Sequence, residues 1–124
     1  MNERQRLERQ LDSLWRLLVL QRAENKCEKC GSRTDLESHH IVSRYIRATR
    51  WELRNGICLC KWNCHRLPHS LSVKDRRWYK QWELKYIGKM RMRQLELMAR
   101  ELEHYSPTAL EDKLKGLKGL LAGR

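Results

Sequence analysis

Two pairs of closely spaced cysteines, with two adjacent histidines between them, constrain this chain more than any other feature. Two residues separate Cys27 from Cys30, three residues separate Cys60 from Cys64, and His39-His40 lies between the pairs. Paired cysteines in a cytosolic chain are more typical of a metal site than of disulfides. The total of five cysteines is odd, so a scheme built only from disulfides leaves one over.

A structural zinc ion takes four ligands in a tetrahedron and favours thiolates. Cys27 and Cys30 provide one half of such a site. Three cysteines compete for the other half, and we assign Cys60 and Cys64 because they flank a turn of suitable size. Cys58 is then expected to pack as a small buried hydrophobe. The combination of Cys58 with Cys64 is the main alternative.

The length and composition predict one small domain whose core needs additional stabilisation, such as a bound metal ion. The 124 residues are 40% hydrophobic and 34% charged, without phenylalanine, and a thin core of this kind often depends on a bound metal. We expect a single domain over 1–124, divided into a basic helix (1–24), a zinc-bracketed core (25–71) and C-terminal helices (72–124). Since no apolar leader or membrane-length apolar run is present, a cytoplasmic protein without membrane partners is expected.

The charge balance points to a polyanionic partner. The net charge is +12, from 27 Lys and Arg against 15 Asp and Glu, and nucleic acid is the first expectation for such a domain. Four arginines cluster around the segment that follows the histidine pair and are candidates for phosphate contacts: Arg44, Arg47, Arg50 and Arg54. Because no element reads as a base-recognition helix, low sequence specificity is expected.

Periodicity predicts a mostly helical α+β fold with a small hairpin at its centre. Leucines at helical spacing predict a helix over 1–24, and two short apolar runs predict strands at 36–42 and 54–59. A long helix is expected over 73–104, with Ser72 as its N-cap and Gly88 as the point of a bend or interruption. Ser106 and Pro107 predict the start of a last helix.

The histidines suit hydrolysis of a phosphodiester bond. Adjacent residues on a strand face opposite sides, so His39 and His40 are expected to have different roles. We assign His40 as the general base, place a divalent metal on His39 and His65, and count His69 as a third ligand. Asn55 can fix the loop or an imidazole through its amide.

Each of these residues also has a plainer interpretation. His65 and His69 could complete the zinc site instead, and Asn55 with the glycine after it is a common turn signal. The joint spacing within the bracket of thiols is what favours catalysis.

These residues together resemble the HNH endonucleases of the zinc-bracketed kind. The matching parts are Cys27/Cys30, His39-His40-Ile41, Asn55 and Cys60/Cys64-His65, and the second thiol pair is one residue longer than in the family pattern. The resemblance implies a ββα-metal, treble-clef-like core around one catalytic ion, usually Mg²⁺ or Mn²⁺. It implies that His40 is the base, that His39 and His65 hold the ion, that Asn55 orients the site, and that DNA is nicked or cut.

The order of elements is similar to that of phage recombination endonucleases of the NinG (Rap) type, which act on branched DNA. This layout includes Tyr86-Ile87-Gly88 and the Tyr105-Ser106-Pro107 break. If phage-encoded, the protein would work in the bacterial cytoplasm on double-stranded or branched DNA. The alternatives are a zinc-containing nucleic-acid-binding module without catalysis and an adaptor for other proteins. The leucine stripes also leave a homodimer open.

Overall fold

A long amphipathic helix at the N-terminus forms one wall of the fold. In the computed structural model, which describes residues 1–66, 77–101 and 105–123, helix α1 spans Glu3–Arg22. It begins with a capping box, in which the Asn2 side chain accepts from the Gln5 amide at 2.8 Å and the Gln5 side chain accepts from the Asn2 amide. Its buried face follows the predicted spacing and carries Leu7, Leu11, Trp15, Leu18 and Val19.

A two-stranded antiparallel sheet lies against α1. Strand β1 is Leu36–His40 and strand β2 is Gly56–Cys60, with Ser38 opposite Cys58 and His40 opposite Gly56. The predicted hairpin is therefore confirmed, while its strand limits were wrong. β1 ends two residues early because the main chain of Val42 bonds to the Asn55 side chain instead of to a partner strand. A 3-10 turn at Leu53–Asn55 delays the start of β2.

The connection between the strands carries a short helical turn, α2, at Arg47–Arg50. Asp12 of α1 secures the turn, since its two carboxylate oxygens accept from Nε and a terminal nitrogen of Arg50 at 3.0 and 2.7 Å. The Trp51 indole N–H also donates to Asp12, at 2.9 Å. A tertiary contact with α1 thus orders a segment that has no regular apolar pattern of its own.

In the part of the chain that the structure describes, a π-helical turn and three helices follow the sheet. The π-helical turn is Lys61–Arg66, and helices α3 (Arg77–Ile87) and α4 (Lys89–Ala99) are separated at Gly88, where φ is +84°. The interruption predicted at this glycine is confirmed. Ser72, the predicted N-cap of this helix, lies outside the described part of the chain.

The last helix closes the fold against α1. Helix α5 is Pro107–Ala122, and the Ser106 hydroxyl caps it by accepting from the Ala109 amide at 3.2 Å. Its buried leucines join the α1 face, Trp51 and Cys58 in one apolar cluster: Leu110, Leu114 and Leu117. A second cluster contains Ile57, Leu59, Tyr79, Ile87 and three cysteines. Among the described residues, no helix combines the length and the apolar character needed to span a bilayer.

Candidate functional site

Four cysteines from two distant parts of the chain meet in one cluster. The Sγ atoms of Cys27, Cys30, Cys60 and Cys64 all lie within 4.8 Å of one another, and Cys30 and Cys60 are 3.7 Å apart. A tetrahedral ion with metal–sulfur bonds of about 2.3 Å requires sulfur–sulfur separations of roughly 3.8 Å. This four-thiol cluster therefore has the ligand number and the spacing to hold a metal ion.

The first pair is presented by a tight turn after α1. The Cys30 amide donates to Cys27 Sγ at 3.4 Å, and the Gly31 amide donates to the Cys27 carbonyl at 2.9 Å. Gly31 has a φ of +81°, in the left-handed region that glycine adopts without strain. The Cys27 amide closes the turn by donating to the Ser32 carbonyl at 2.8 Å. Both thiols are thereby directed to one point.

The second pair straddles the end of β2. Cys60 is the last residue of the strand, and Cys64 lies in the π-helical turn that follows. A π-helical turn bonds residue i to i+5 and is wider than an α turn. It therefore accommodates the extra residue of the Cys-x₃-Cys spacing while returning Cys64 to the cluster.

The protein environment shifts the pKa values of Cys27 and Cys64 in opposite directions. Burial acts to raise the pKa of Cys27, but main-chain N–H groups of Cys30, Cys60 and Lys29 outweigh it and bring the pKa to about 7. Burial and the neighbouring thiols raise the pKa of Cys64. A group of packed thiols with one easily ionised member is suited to binding a cation that displaces the remaining protons.

Cys58 lies outside this cluster. It is fully buried in the apolar cluster with α1 and α5, and burial is the main reason that its pKa rises to about 11. Its carbonyl accepts from the Glu28 amide at 2.8 Å, which ties the first cysteine turn to β2. The alternative pairing of Cys58 with Cys64 is therefore excluded by the geometry, while the expected packing of Cys58 as a small hydrophobe is observed.

A cleft of about 620 Å³ opens between α1, β1 and the π-helical turn. Three of the predicted histidines line it, together with basic and acidic groups from the surrounding elements. Its lining includes His39, His40, His65, Glu37, Arg16, Arg44 and Lys80. The predicted third metal ligand, His69, falls outside the described residues.

His39 and His65 approach each other from β1 and the π-helical turn. Their ring centroids are 5.0 Å apart, in an edge-on arrangement. His39 Nε2 lies 3.1 Å from Glu83 Oε1, and His65 Nδ1 lies 3.3 Å from Glu37 Oε1. Because a carboxylate accepts hydrogen bonds, each ring donates through the nitrogen that faces its carboxylate. This is the arrangement in which histidines commonly bind metals.

Glu83 is a buried carboxylate on the inner face of α3. Its exposure is 3%, and Lys80 Nζ lies 3.2 Å from its second oxygen. Burial acts to raise the pKa of Glu83, but the hydrogen bond from His39 and the charges of His39 and Lys80 outweigh it and lower the pKa. The group is thus held as an anion directly behind His39.

His40 has different ring contacts from His39, its neighbour on β1. Its ring stacks on Trp15, with centroids 4.0 Å apart and an interplanar angle of 11°. Its Nε2 lies 3.0 Å from the Arg50 carbonyl, so Nε2 carries the proton and Nδ1 keeps the lone pair. Burial, aided by the nearby charges of His39 and Arg44, lowers the pKa of His40 to about 4. The imidazole is therefore neutral at pH 7.

Asn55 is fully buried and holds the loop that follows β1. Its Oδ1 accepts from the Val42 amide at 2.7 Å, and its Nδ2 donates to the carbonyls of Val42 and Thr49 at 3.1 and 3.0 Å. These bonds attach the Asn55 side chain to the main chain of the loop. They fix the chain immediately after the histidine pair.

The four loop arginines have different surroundings. Arg44 lines the cleft with a side chain that is 52% exposed, 3.5 Å from Asp12. Arg50 is only 13% exposed and is bound to Asp12. Arg47 pairs with Glu8 at 3.1 Å, and Arg54 pairs with Glu52 at 2.9 Å. Arg44 is thus the one of these four that lines the cleft.

Several residues of this site were not identified from the sequence. Glu37 had a weak signal, because it stands two positions before His39 and so shares its strand face. Glu83 is four residues from both Tyr79 and Ile87 and therefore shares their helical face, which only the packing of α3 shows to be buried. Asp12 and Trp15 carry no local signal, since only the docking of α1 brings them to the site.

The comparisons with known proteins give no relative for this site. Neither the family models, the curated proteins nor the solved structures contain a match to this chain.

Proposed function

We propose that this protein is a metal-dependent DNA endonuclease of the HNH kind, with a structural zinc ion beside its catalytic cleft. The observation that carries the proposal is the convergence of His39, His40 and His65 on one cleft next to the four-thiol cluster. The three imidazoles come from β1 and from the turn that also presents Cys64. An ion held by the thiols would therefore fix the position of the histidines.

Zinc is the ion that best suits the thiols. Four cysteines at tetrahedral spacing are the usual ligands of structural zinc. The cluster joins the turn after α1 to the end of β2. Zinc would serve as the staple that a small core of this kind needs.

His39 and His65 are the proposed holders of a second, exchangeable cation. A divalent cation held by these rings would supply positive charge to the scissile phosphate and to the leaving oxygen. The two imidazoles, each backed by a carboxylate, favour Mn²⁺ or another transition ion over Mg²⁺, which prefers oxygen ligands. Glu83 and Glu37 orient these rings by accepting their N–H protons.

His40 is the proposed general base. Its neutral ring donates through Nε2 to the Arg50 carbonyl, which leaves the Nδ1 lone pair to take a proton from water. The water oxygen then forms a bond to phosphorus as the bond to the leaving oxygen breaks, and the leaving oxygen takes a proton from solvent water. A low pKa makes His40 a weaker base than a solvated histidine but keeps it unprotonated at pH 7.

The basic charge supports DNA as the substrate. The net charge is +12, and Arg16, Arg44 and Lys80 line the cleft that holds the histidines. Contacts of this kind act on phosphates and carry no sequence information, so binding should be weakly sequence-specific and should weaken steeply with salt. A preference for branched DNA rests on the similarity of layout to the NinG-type endonucleases.

The test is cleavage by purified protein of supercoiled plasmid, linear duplex and four-way DNA with Mg²⁺ or Mn²⁺. We expect nicking or cutting by the wild-type chain, with Mn²⁺ the better ion, and a loss of about 100-fold or more in His40→Ala. DNA binding by His40→Ala, measured by fluorescence anisotropy, should stay close to that of the wild type. Asp112→Ala, which changes an exposed residue of α5, is the matched control and should cut normally.

Other outcomes would support other functions. DNA binding that His40→Ala leaves unchanged, with no cleavage by the wild-type chain across metals and substrates, would indicate a non-catalytic zinc-containing binding module. Absence of DNA binding at low salt would reject both functions.

A further inference from the structure

The imidazole of His40 is restrained from two sides by groups outside its own strand. On one side the Trp15 ring stacks on it at 4.0 Å. On the other side the Arg50 carbonyl accepts its Nε2 proton at 3.0 Å. The stack restrains the plane of the ring, and the hydrogen bond restrains its rotation within that plane.

The Arg50 carbonyl is itself anchored to α1. The Arg50 guanidinium makes a two-pronged contact with the Asp12 carboxylate, at 3.0 and 2.7 Å. The next residue, Trp51, donates to the same carboxylate at 2.9 Å. Two successive residues are therefore bound to Asp12, and the peptide between them carries the oxygen that accepts from His40.

Trp15 is anchored as well. It is 2% exposed, and its indole N–H donates to the Glu52 carbonyl at 2.8 Å. Asp12 and Trp15 lie three positions apart on α1, so they share one face of the helix. One helical face thus reaches His40 twice, by direct stacking and through Arg50.

We propose that Asp12 and Trp15 are positioning residues for His40. The inference rests on the proposed function only in taking His40 as the general base. It assigns Arg50, a predicted phosphate contact, to a different role. The Arg50 side chain is 13% exposed and is bound to Asp12, and this bond holds the main-chain carbonyl of Arg50 against His40.

The chemical consequence concerns the tautomer of the ring. A carbonyl can only accept, so the bond to Arg50 selects the tautomer with the proton on Nε2 and the lone pair on Nδ1. Loosening Arg50 would allow the other tautomer, whose Nδ1 carries a proton and cannot act as a base. Misplacement of a catalytic group by about 1 Å can cost roughly 100-fold in rate.

The experiment compares Asp12→Ala and Asp12→Asn with the control Asp112→Ala. In the Asp12 variants we expect kcat for DNA cleavage to fall by about 10-fold to 100-fold, with KM and DNA affinity changed by less than about 3-fold. In a His40→Ala background, Asp12→Ala should cause no further loss, because it acts through the missing ring. Imidazole nitrogen NMR should show the Nε2-protonated tautomer of His40 in the wild type and a mixture of tautomers in Asp12→Ala.

Three results would overturn the inference. These are an unchanged kcat and tautomer in folded Asp12→Ala, an additive loss in the His40→Ala background, or a loss confined to KM. If Asp12→Ala does not fold, Asp12→Asn and Trp15→Phe decide instead, since the first removes only the charge and one acceptor and the second keeps a stacking ring. If the wild-type chain cuts no DNA, the proposed function fails, and the NMR comparison alone decides whether Asp12 positions His40.

Discussion

The Trp15 indole lies parallel to the His40 imidazole because Gly56 has no side chain. Gly56 pairs with His40 across the sheet, and a Cβ atom built on it would stand 2.9 Å from Trp15 Cζ2 and still closer to a Val19 methyl group. Both contacts are shorter than packed carbon atoms tolerate. The close approach of α1 to β2, and with it the stack on His40, depends on this glycine.

Gly56→Ala is therefore expected to destabilise the protein by about 1–3 kcal/mol, the usual range for overpacking a filled core. The matched control is Gly116→Ala within α5, where a Cβ meets no atom within 4 Å. That change should stabilise by roughly 0.5–1 kcal/mol, since alanine favours a helix interior over glycine. Urea unfolding of both variants measures the difference, and equal effects at the two positions would contradict the proposed close packing.

Removal of the metal should unfold the region around the sheet. Structural zinc contributes on the order of 10 kcal/mol in small zinc domains, which matches the entire stability of a small protein. We expect one zinc ion per chain by elemental analysis and a large loss of ordered structure by circular dichroism after chelation. Cys64→Ser should lower both the zinc content and the thermal midpoint.

Cys58→Ala is the control for the zinc experiment. Cys58 is buried outside the four-thiol cluster, so its replacement should cost roughly 1 kcal/mol and leave the zinc content unchanged. Loss of zinc from Cys58→Ala to the same extent as from Cys64→Ser would contradict the ligand assignment.

Asn55→Ala should strongly destabilise the protein, although it removes only a small side chain. The buried amide makes three hydrogen bonds to the main chain of Val42 and Thr49, and each buried group left without a partner costs about 1–3 kcal/mol. Faster hydrogen exchange at the Val42 amide should accompany the loss in urea stability. Asn63→Ala, at an exposed position in the π-helical turn, should change stability by less than about 0.5 kcal/mol.

Glu83→Gln should weaken binding of Mn²⁺ without unfolding the protein. A carboxylate behind a metal-binding histidine makes the ring a better ligand, and its loss commonly costs about 10-fold to 100-fold in affinity. Calorimetric titration of the zinc-loaded protein with Mn²⁺ measures the change. Glu96→Gln, exposed on α4, is the control, and equal Mn²⁺ affinities in the two variants would argue against His39 as a ligand.

The sequence was sufficient for features that depend on local chemistry. These features are the leucine spacing of α1, the interruption at Gly88 and the cap at Ser106. Each depends on a few neighbouring residues, and each is observed. The hairpin was also predicted, although its limits moved because Asn55 bonds across the loop. That shift could not be read locally, since the partners of Asn55 are separated from it in the chain.

The spacing of the cysteines predicted a metal site, but only the structure showed which cysteines form it. Pair spacing predicted a metal site, but Cys58 and Cys60 stand on the same strand and satisfied the pattern almost equally. The structure decided between them, because the π-helical turn after β2 brings Cys64 back to Cys60 while Cys58 stays in the core against α1.

The amino-acid sequence by itself determined the first and last helices, the hairpin and the paired thiols, because periodicity, capping and side-chain chemistry act over a few residues. Only the tertiary structure decided which groups surround the histidines. Asp12 and Trp15 from α1, and Glu83 from α3, reach them across long stretches of chain. The physical reason is that burial and hydrogen bonding depend on how whole helices and strands pack together. This packing cannot be predicted from any short segment of the sequence.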